Sequence, residues 1–331
     1  RRVLFRPQDA DELYGSDLGR LLDMGLSPDF EIAGKLLWNL YVDNTDVKDP
    51  VGVITMDEHA LQSLMWVTGP VTVDGKQIDA AAIVDYVTKG VYFDHKDVAS
   101  KDATLLGITE QIFTKLQTGE VGALGLAKAL LPAIEAGRIR AWARDEAVQS
   151  VIRTTSLSGG VKDPKDVTHI VAIANGGGNK IEAYVQADVQ YWAGVCDLNL
   201  PFRDSTLRIT LNNSAPASGL PEYVTPRLDK GEVAPKPQGS NREIVFVHLP
   251  AGSEFTSAMV GEYAIEPLVQ GSENGRWVWR FDVELKAQSS KTLVIQFSEP
   301  ALEKKARAKL WVQPMALPMT TSVKLGAICT S

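Results

Sequence analysis

Arg138, Arg140 and Arg144 lie within seven positions of one another, directly after an apolar helical stretch. An arginine fork makes two parallel hydrogen bonds to phosphate or carboxylate, so such a cluster can clamp a pyrophosphate. The same residues also suit a helix end, where they satisfy last-turn carbonyls. A second polar segment holds Asp94, His95, Lys96, Asp97, Lys101 and Asp102. Carboxylates beside cations can hold a divalent ion against a pyrophosphate. This segment, through Asp97 and Lys101, joins the three arginines as a candidate binding site, with the cofactor unknown and Mg expected only if a pyrophosphate is bound. A charged loop between two helices has the same composition.

Other chemistries lack their residues. The four histidines, His59, His95, His169 and His248, never pair four apart, and no Cys-x-x-Cys occurs, so no metal site is expected. Gly-x-Ser-x-Gly, Ser-x-x-Lys and His-Glu-x-x-His are absent. Gly176-Gly177-Gly178-Asn179-Lys180 imitates a phosphate loop, but alternating Ile181-Glu182-Ala183-Tyr184-Val185 follows where a helix would have to begin. A hairpin turn is expected there. The net charge of -7 gives no general attraction for nucleic acid, and no nucleic-acid partner is expected.

These residues need a scaffold, and the first half supplies helix and strand signals in alternation. Ser27 followed by Pro28 predicts a helix start. Val51–Met56 is a short apolar run suited to a buried strand, and Asp57 caps the helix after it until Gly69-Pro70. Val71–Val73 is a strand turned by Asp74-Gly75. Helices are predicted over about 79–88, 103–117, 126–135 and 145–153. Thr168–Ala174 and Ile181–Trp192 read as two strands of one hairpin. From about Val195 only short alternating strands and turn-rich segments remain, the pattern of a β-sandwich. The expected organisation is an α/β domain over 1–194 and an all-β immunoglobulin-like sandwich over 195–331.

With 331 residues and 44% hydrophobic composition, two globular domains with real cores are expected. No apolar run reaches the roughly 20 residues that cross a bilayer. The first residue is not Met, so a trimmed product with an anchor upstream is expected. Cys196 and Cys329 flank the second domain. A disulfide between them would staple that domain, by on the order of 5 kcal/mol in the chain-entropy model, and imply an oxidising compartment. Two unrelated buried thiols are the alternative.

Four strings carry a family resemblance: Gly25–Phe30 (GLSPDF), Val51–Asp79, Asn175–Tyr184 (NGGGNKIEAY) and Leu211–Val224 (LNNSAPASGLPEYV). In this order they resemble the bacterial family called domain of unknown function 4012 (DUF4012). The resemblance implies an extracytoplasmic cell-envelope protein of Gram-positive bacteria, membrane-anchored and linked to polysaccharide. Val51–Val73 is also similar, more distantly, to the LytR-CpsA-Psr transferases, which move glycopolymers from a polyprenyl-pyrophosphate carrier to the wall. That likeness places Val91–Phe113 over an arginine-rich transferase segment. No arginine stands there in this chain, leaving Lys101 as the cation and Asp97 as the acid. The related families carry a further N-terminal portion, so a separate segment or chain completing the first domain is an expected partner. The expected function is noncatalytic binding or scaffolding of a cell-wall glycan or polyprenyl-linked carrier. The alternative is a glycopolymer phosphotransferase acting on that carrier.

Overall fold

The computed structural model describes residues 13–14, 27–47, 49–118, 121–159, 168–194, 201–229, 236–301 and 308–325. Cys196 and Cys329 lie outside the described residues, as does the disulfide expected between them.

The first helix, α1 (Phe30–Asn44), starts two residues later than the sequence predicts. Asp29 is its cap and accepts the Glu31 N–H at 2.9 Å. Ser27, the expected cap, donates instead to Glu273 at 3.1 Å, so its hydroxyl docks the chain on the sandwich. Strand β1 (Gly52–Met56) pairs antiparallel with β4 (Ile139–Ala143) in a sheet of two strands. β1 is not the buried strand expected. Val53 packs toward Phe30 and Trp142, whereas Ile54 is 71% exposed. The reason is coverage, because α1 lies on one face of this small sheet only.

The next elements follow their local signals. Asp57 accepts the N–H groups of His59 at 3.0 Å and Ala60 at 2.9 Å and so caps α2 (Glu58–Thr68). Gly69, at φ 79°, ends it, a conformation glycine adopts without a Cβ clash. Strands β2 (Val71–Val73) and β3 (Lys76–Ile78) form a hairpin whose Asp74 and Gly75 both take positive φ, the turn that matches strand twist. A helical run over 83–94 contains a π turn at Tyr86–Gly90. Helices α3 (Val98–Gln117), α4 (Ala123–Glu135) and α5 (Glu146–Arg153) complete the unit. Leu64, Met65, Val71, Ile83, Ile108 and Ile112 form its core.

The remaining described strands are β5 (Thr168–Asn175), β6 (Val185–Ala193), β7 (Phe202–Asn213), β8 (Asn241–Leu249), β9 (Glu254–Val260), β10 (Tyr263–Ile265), β11 (Val269–Glu273), β12 (Arg276–Leu285), β13 (Ser289–Pro300), β14 (Lys309–Val312) and β15 (Thr320–Leu325). They make a six-stranded sheet, β10-β9-β13-β7-β6-β15, and a five-stranded sheet, β11-β12-β8-β5-β14. The last two strands return to pair in parallel with the first two, β14 with β5 and β15 with β6. Side chains from both sheets, among them Val189, Leu207, Ile209, Val247, Phe281 and Ile295, fill one core. This is a β-sandwich preceded by a mixed helix and strand unit.

Two expectations are corrected by this topology. β5 and β6 are not a hairpin, since β5 pairs with β8 and β14 while β6 pairs with β7 and β15. The turn between them is a corner from one sheet to the other. β5 carries an unbroken buried run, His169–Ile173, the mark of a sheet covered on both faces, whereas β6 alternates buried and accessible residues. The domain boundary expected at residue 194 therefore moves upstream of Thr168, because both strands are integral to the sandwich.

A polar clasp joins the two sheets inside the core. Glu299 on β13 meets His169 Nε2 of β5 at 2.6 Å and accepts from Arg203 Nε at 3.1 Å, from Ser205 Oγ and from the Tyr191 hydroxyl. Burial alone would raise the Glu299 pKa, but the bond and charge of His169, with Ser205 and Tyr191, hold it down at about 2. A fully satisfied buried network of this kind specifies one pairing of the sheets.

Candidate functional site: a cavity between the two units

The expected cations are held by the protein itself. Asp97 caps α3, accepting the Ser100 N–H at 2.8 Å. Lys101, in the first turn of that helix, pairs with Asp102 at 2.6 Å and lies over the rings of Tyr223 at 5.0 Å and Tyr92 at 5.7 Å. Those rings stack on each other at 5.8 Å, so Lys101 fastens the helical unit to a sandwich loop. Burial opposes its charge, but Asp102 and Tyr223 outweigh it and its pKa rises. Arg138 donates to Asp57 at 2.6 Å. Arg140 donates to the carbonyls of Gly137 and Pro28, lies 5.0 Å from the Trp311 ring, and is lowered to about 10 by burial. Arg144 pairs with Asp49 at 2.7 Å on the surface. The structure thus spreads the five candidates over separate contacts and does not aim them at one point.

Two of those contacts do border the same space. Asp57, the partner of Arg138, and Tyr92, beneath Lys101, both line a cavity of about 270 Å³. The rest of the lining includes Glu58, Thr88, Asn179, Lys180, Glu182 and Met315. The wall thus comes from the start of α2, the helical run over 83–94, the corner between β5 and β6, and the chain after β14. Asn179 holds that corner, since its amide donates to Ser240 O at 3.0 Å and its oxygen accepts the Ile181 N–H at 3.1 Å. His59 anchors the opposite wall through Ala316 O at 2.8 Å.

The electrostatics of the cavity are acidic. Asp57 is neutralised by Arg138, but Glu58 and Glu182 have no ion-pair partner among the described residues. Burial raises the Glu58 pKa, and the adjacent charge of Asp57 adds to that. Burial also raises Glu182, with the charge of Glu58 adding and that of Lys180 subtracting. Behind them Glu243, fully buried on β8, is raised to about 8 by burial and then by Glu182. Such a site offers hydrogen-bond acceptors, one ammonium and a tyrosine hydroxyl. No three His, Cys, Asp or Glu side chains gather to hold a metal among the described residues.

Reasoning from sequence missed Glu58, Lys180 and Glu182 because each looks like an ordinary helix-start or turn residue. The available signal was positional. Three of the four resembling strings meet here, Val51–Asp79 through Asp57 and Glu58, Asn175–Tyr184 through Asn179 to Glu182, and Leu211–Val224 through Tyr223 on Tyr92 and the Val224 carbonyl on Lys180 N–H.

A mixed helical unit seated on a two-sheet sandwich, with a polar cavity at the junction, defines the class of protein. A family model described as protein of unknown function (DUF4012) matches residues 2–92, a segment that ends at the cavity residue Tyr92. Over those residues the chain is similar to the DUF4012 family, in line with the resemblance read from the sequence. No curated protein matches it. Among solved structures, a "putative nutrient binding protein" from Legionella pneumophila subsp. pneumophila str. Philadelphia 1 is 9% identical over 40% of this chain, with a TM-score of 0.24. The match covers 44% of that structure, less than half its length. No helix among the described residues is long and apolar enough to cross a membrane.

Proposed function

We propose that this chain is an extracytoplasmic cell-envelope protein that binds the glycan part of an envelope polymer, without catalysis, in the cavity at the junction. The observation that carries this reading is the acidic cavity wall of Glu58 and Glu182, set against five candidate cation-site residues already engaged elsewhere. Carboxylates, an ammonium and a tyrosine hydroxyl suit the many hydroxyls of a sugar, and their charge opposes a pyrophosphate. The volume, just under the range of about 300–1,000 Å³ usual for ligand pockets, suits a sugar ring rather than a polyprenyl chain. On this reading the first unit is a reduced relative of the LytR-CpsA-Psr domain, keeping the strand, Asp57 and helix passage without the arginine clamp. The sandwich is immunoglobulin-like, supported by its two face-packed and mainly antiparallel sheets.

The test is incubation of the protein with a labelled polyprenyl-pyrophosphate-linked oligosaccharide and with the same oligosaccharide free. Saturable binding of both, with no release of polyprenyl phosphate, and at least tenfold weakening by Glu58→Gln with Glu182→Gln, is the expected result. Turnover of the linked substrate would establish the transferase alternative. No binding of either would end the glycan reading.

A further inference from the structure

The outer face of the six-stranded sheet carries a second set of polar groups, gathered around one indole. Strand alternation puts Gln186, Asp188, Gln190 and Trp192 of β6 on this face, with Asp204, Thr206, Arg208, Thr210 and Asn212 of β7, while their neighbours are buried. Register then fixes the rows. Lys324 of β15 stands opposite Trp192, which stands opposite Thr206, and Arg208 lies diagonally from Trp192 opposite Gln190. The Arg208 guanidinium is 5.6 Å from the Trp192 ring centroid and the Lys324 ammonium 5.4 Å from it. One indole thus holds two cations in place. Neither cation has a carboxylate partner among the described residues, and Arg208 and Lys324 are both exposed.

We infer that this face binds an acidic polysaccharide, a chain whose sparse carboxylates meet Arg208 and Lys324 while its hydroxyls meet the amides and hydroxyls around them. Charge complementarity selects the occupant. Two unpaired, pre-positioned cations on a chain of net charge -7 call for an anionic group. Asp188, Asp204 and Glu254 share the same face by register, so a dense polyanion such as nucleic acid is repelled. A uronic-acid chain satisfies both conditions, since its carboxylates are spaced by neutral hydroxyl-rich atoms and each fits the planar arginine fork. Six strands spaced about 4.8 Å apart span several sugar units of an extended chain. This site is separate from the junction cavity and stands whether or not that cavity binds sugar.

The experiment is affinity electrophoresis and titration calorimetry of the whole chain against polygalacturonate, with dextran as the neutral polymer and phosphatidylglycerol vesicles as the anionic surface. Retardation by polygalacturonate that weakens with added salt, and none by dextran, is expected. The double variant Arg208→Gln with Lys324→Gln should lose at least tenfold in affinity with an unchanged melting temperature. Lys128→Gln, at an exposed lysine on α4, should bind as the parent does. No retardation by polygalacturonate, equal binding by the double variant, equal loss in Lys128→Gln, or binding to vesicles alone would each overturn the assignment.

Discussion

β8 of the five-stranded sheet and β6 of the six-stranded sheet have nine residues each and both face the same core. Their other sides differ. β8 reads Ile244-Val245-Phe246-Val247-His248-Leu249, buried on both faces, because Leu13, Tyr14 and α1 pack over Ile244, Phe246, Ala172 and Val278. β6 alternates Val185, Ala187, Val189 and Tyr191 inward with Gln186, Asp188, Gln190 and Trp192 outward, and its outward residues stay accessible. The difference teaches how one sandwich divides its work. One sheet is the floor on which α1, Leu13 and Tyr14 pack, and the other leaves its back accessible. Apolar continuity marks the covered sheet, and alternation marks the bare one.

The largest test of that contrast is truncation on each back. Phe246→Ala removes a fully buried ring that meets Tyr14 at 4.9 Å and should cost about 3–5 kcal/mol in urea denaturation. Asn212→Thr, on the bare back, should stay within about 0.5 kcal/mol. Equal costs would erase the distinction.

Next in size is the clasp that both sheets share. Glu299 has its pKa lowered from 4.5 to about 2 in the fold, so its stabilising contribution is whole above pH 4.5 and is lost as pH falls toward 2. Two and a half pKa steps correspond to about 3 kcal/mol. The urea midpoint should therefore drop over that window, and Glu299→Gln should start lower and lose this part of the acid dependence.

Glu243 gives the opposite sign. Burial raises its pKa to about 8, so the fold keeps a proton that the unfolded chain releases. Stability from this group is complete below pH 4.5 and declines as pH rises to about 8. Melting temperatures at pH 5, 7 and 8.5 should fall in the parent and fall less in Glu243→Gln.

Smaller effects are expected where the helical unit touches the sandwich by charge and aromatic contact. Lys101→Met should cost about 1 kcal/mol in the same denaturation, the worth of a partly buried cation over two rings. Smallest of all, Arg144→Ala breaks only an exposed pair with Asp49 and should change stability by less than about 0.5 kcal/mol. A larger loss at Arg144 would restore it as a positioned group.

Much of the local structure was legible in the sequence because its causes are local. Asp57 before an apolar helical face is a cap wherever that helix sits, and Asp74-Gly75 makes a tight turn from its own backbone preferences. Alternation in β7 announced a half-buried strand, whereas the alternating Ile181–Tyr184 forms a 3-10 turn ahead of β6. The candidate site was less legible. Arg138, Arg140 and Lys101 looked available, yet their partners Asp57, Trp311 and Tyr223 come from distant parts of the chain. Glu58 and Glu182 looked ordinary because only the corner from one sheet to the other sets them around a common cavity.

By itself, the amino-acid order determined which segments coil, which extend, where they turn and which sides are oily, since those properties are set within a few residues. Tertiary structure alone decided that β5 and β6 part into different sheets, which cations are neutralised, and which carboxylates are left facing a cavity. Sheet assignment and pairs such as Arg138 with Asp57, 81 residues apart, depend on groups that become neighbours only after the chain has closed long loops, and no local pattern records them.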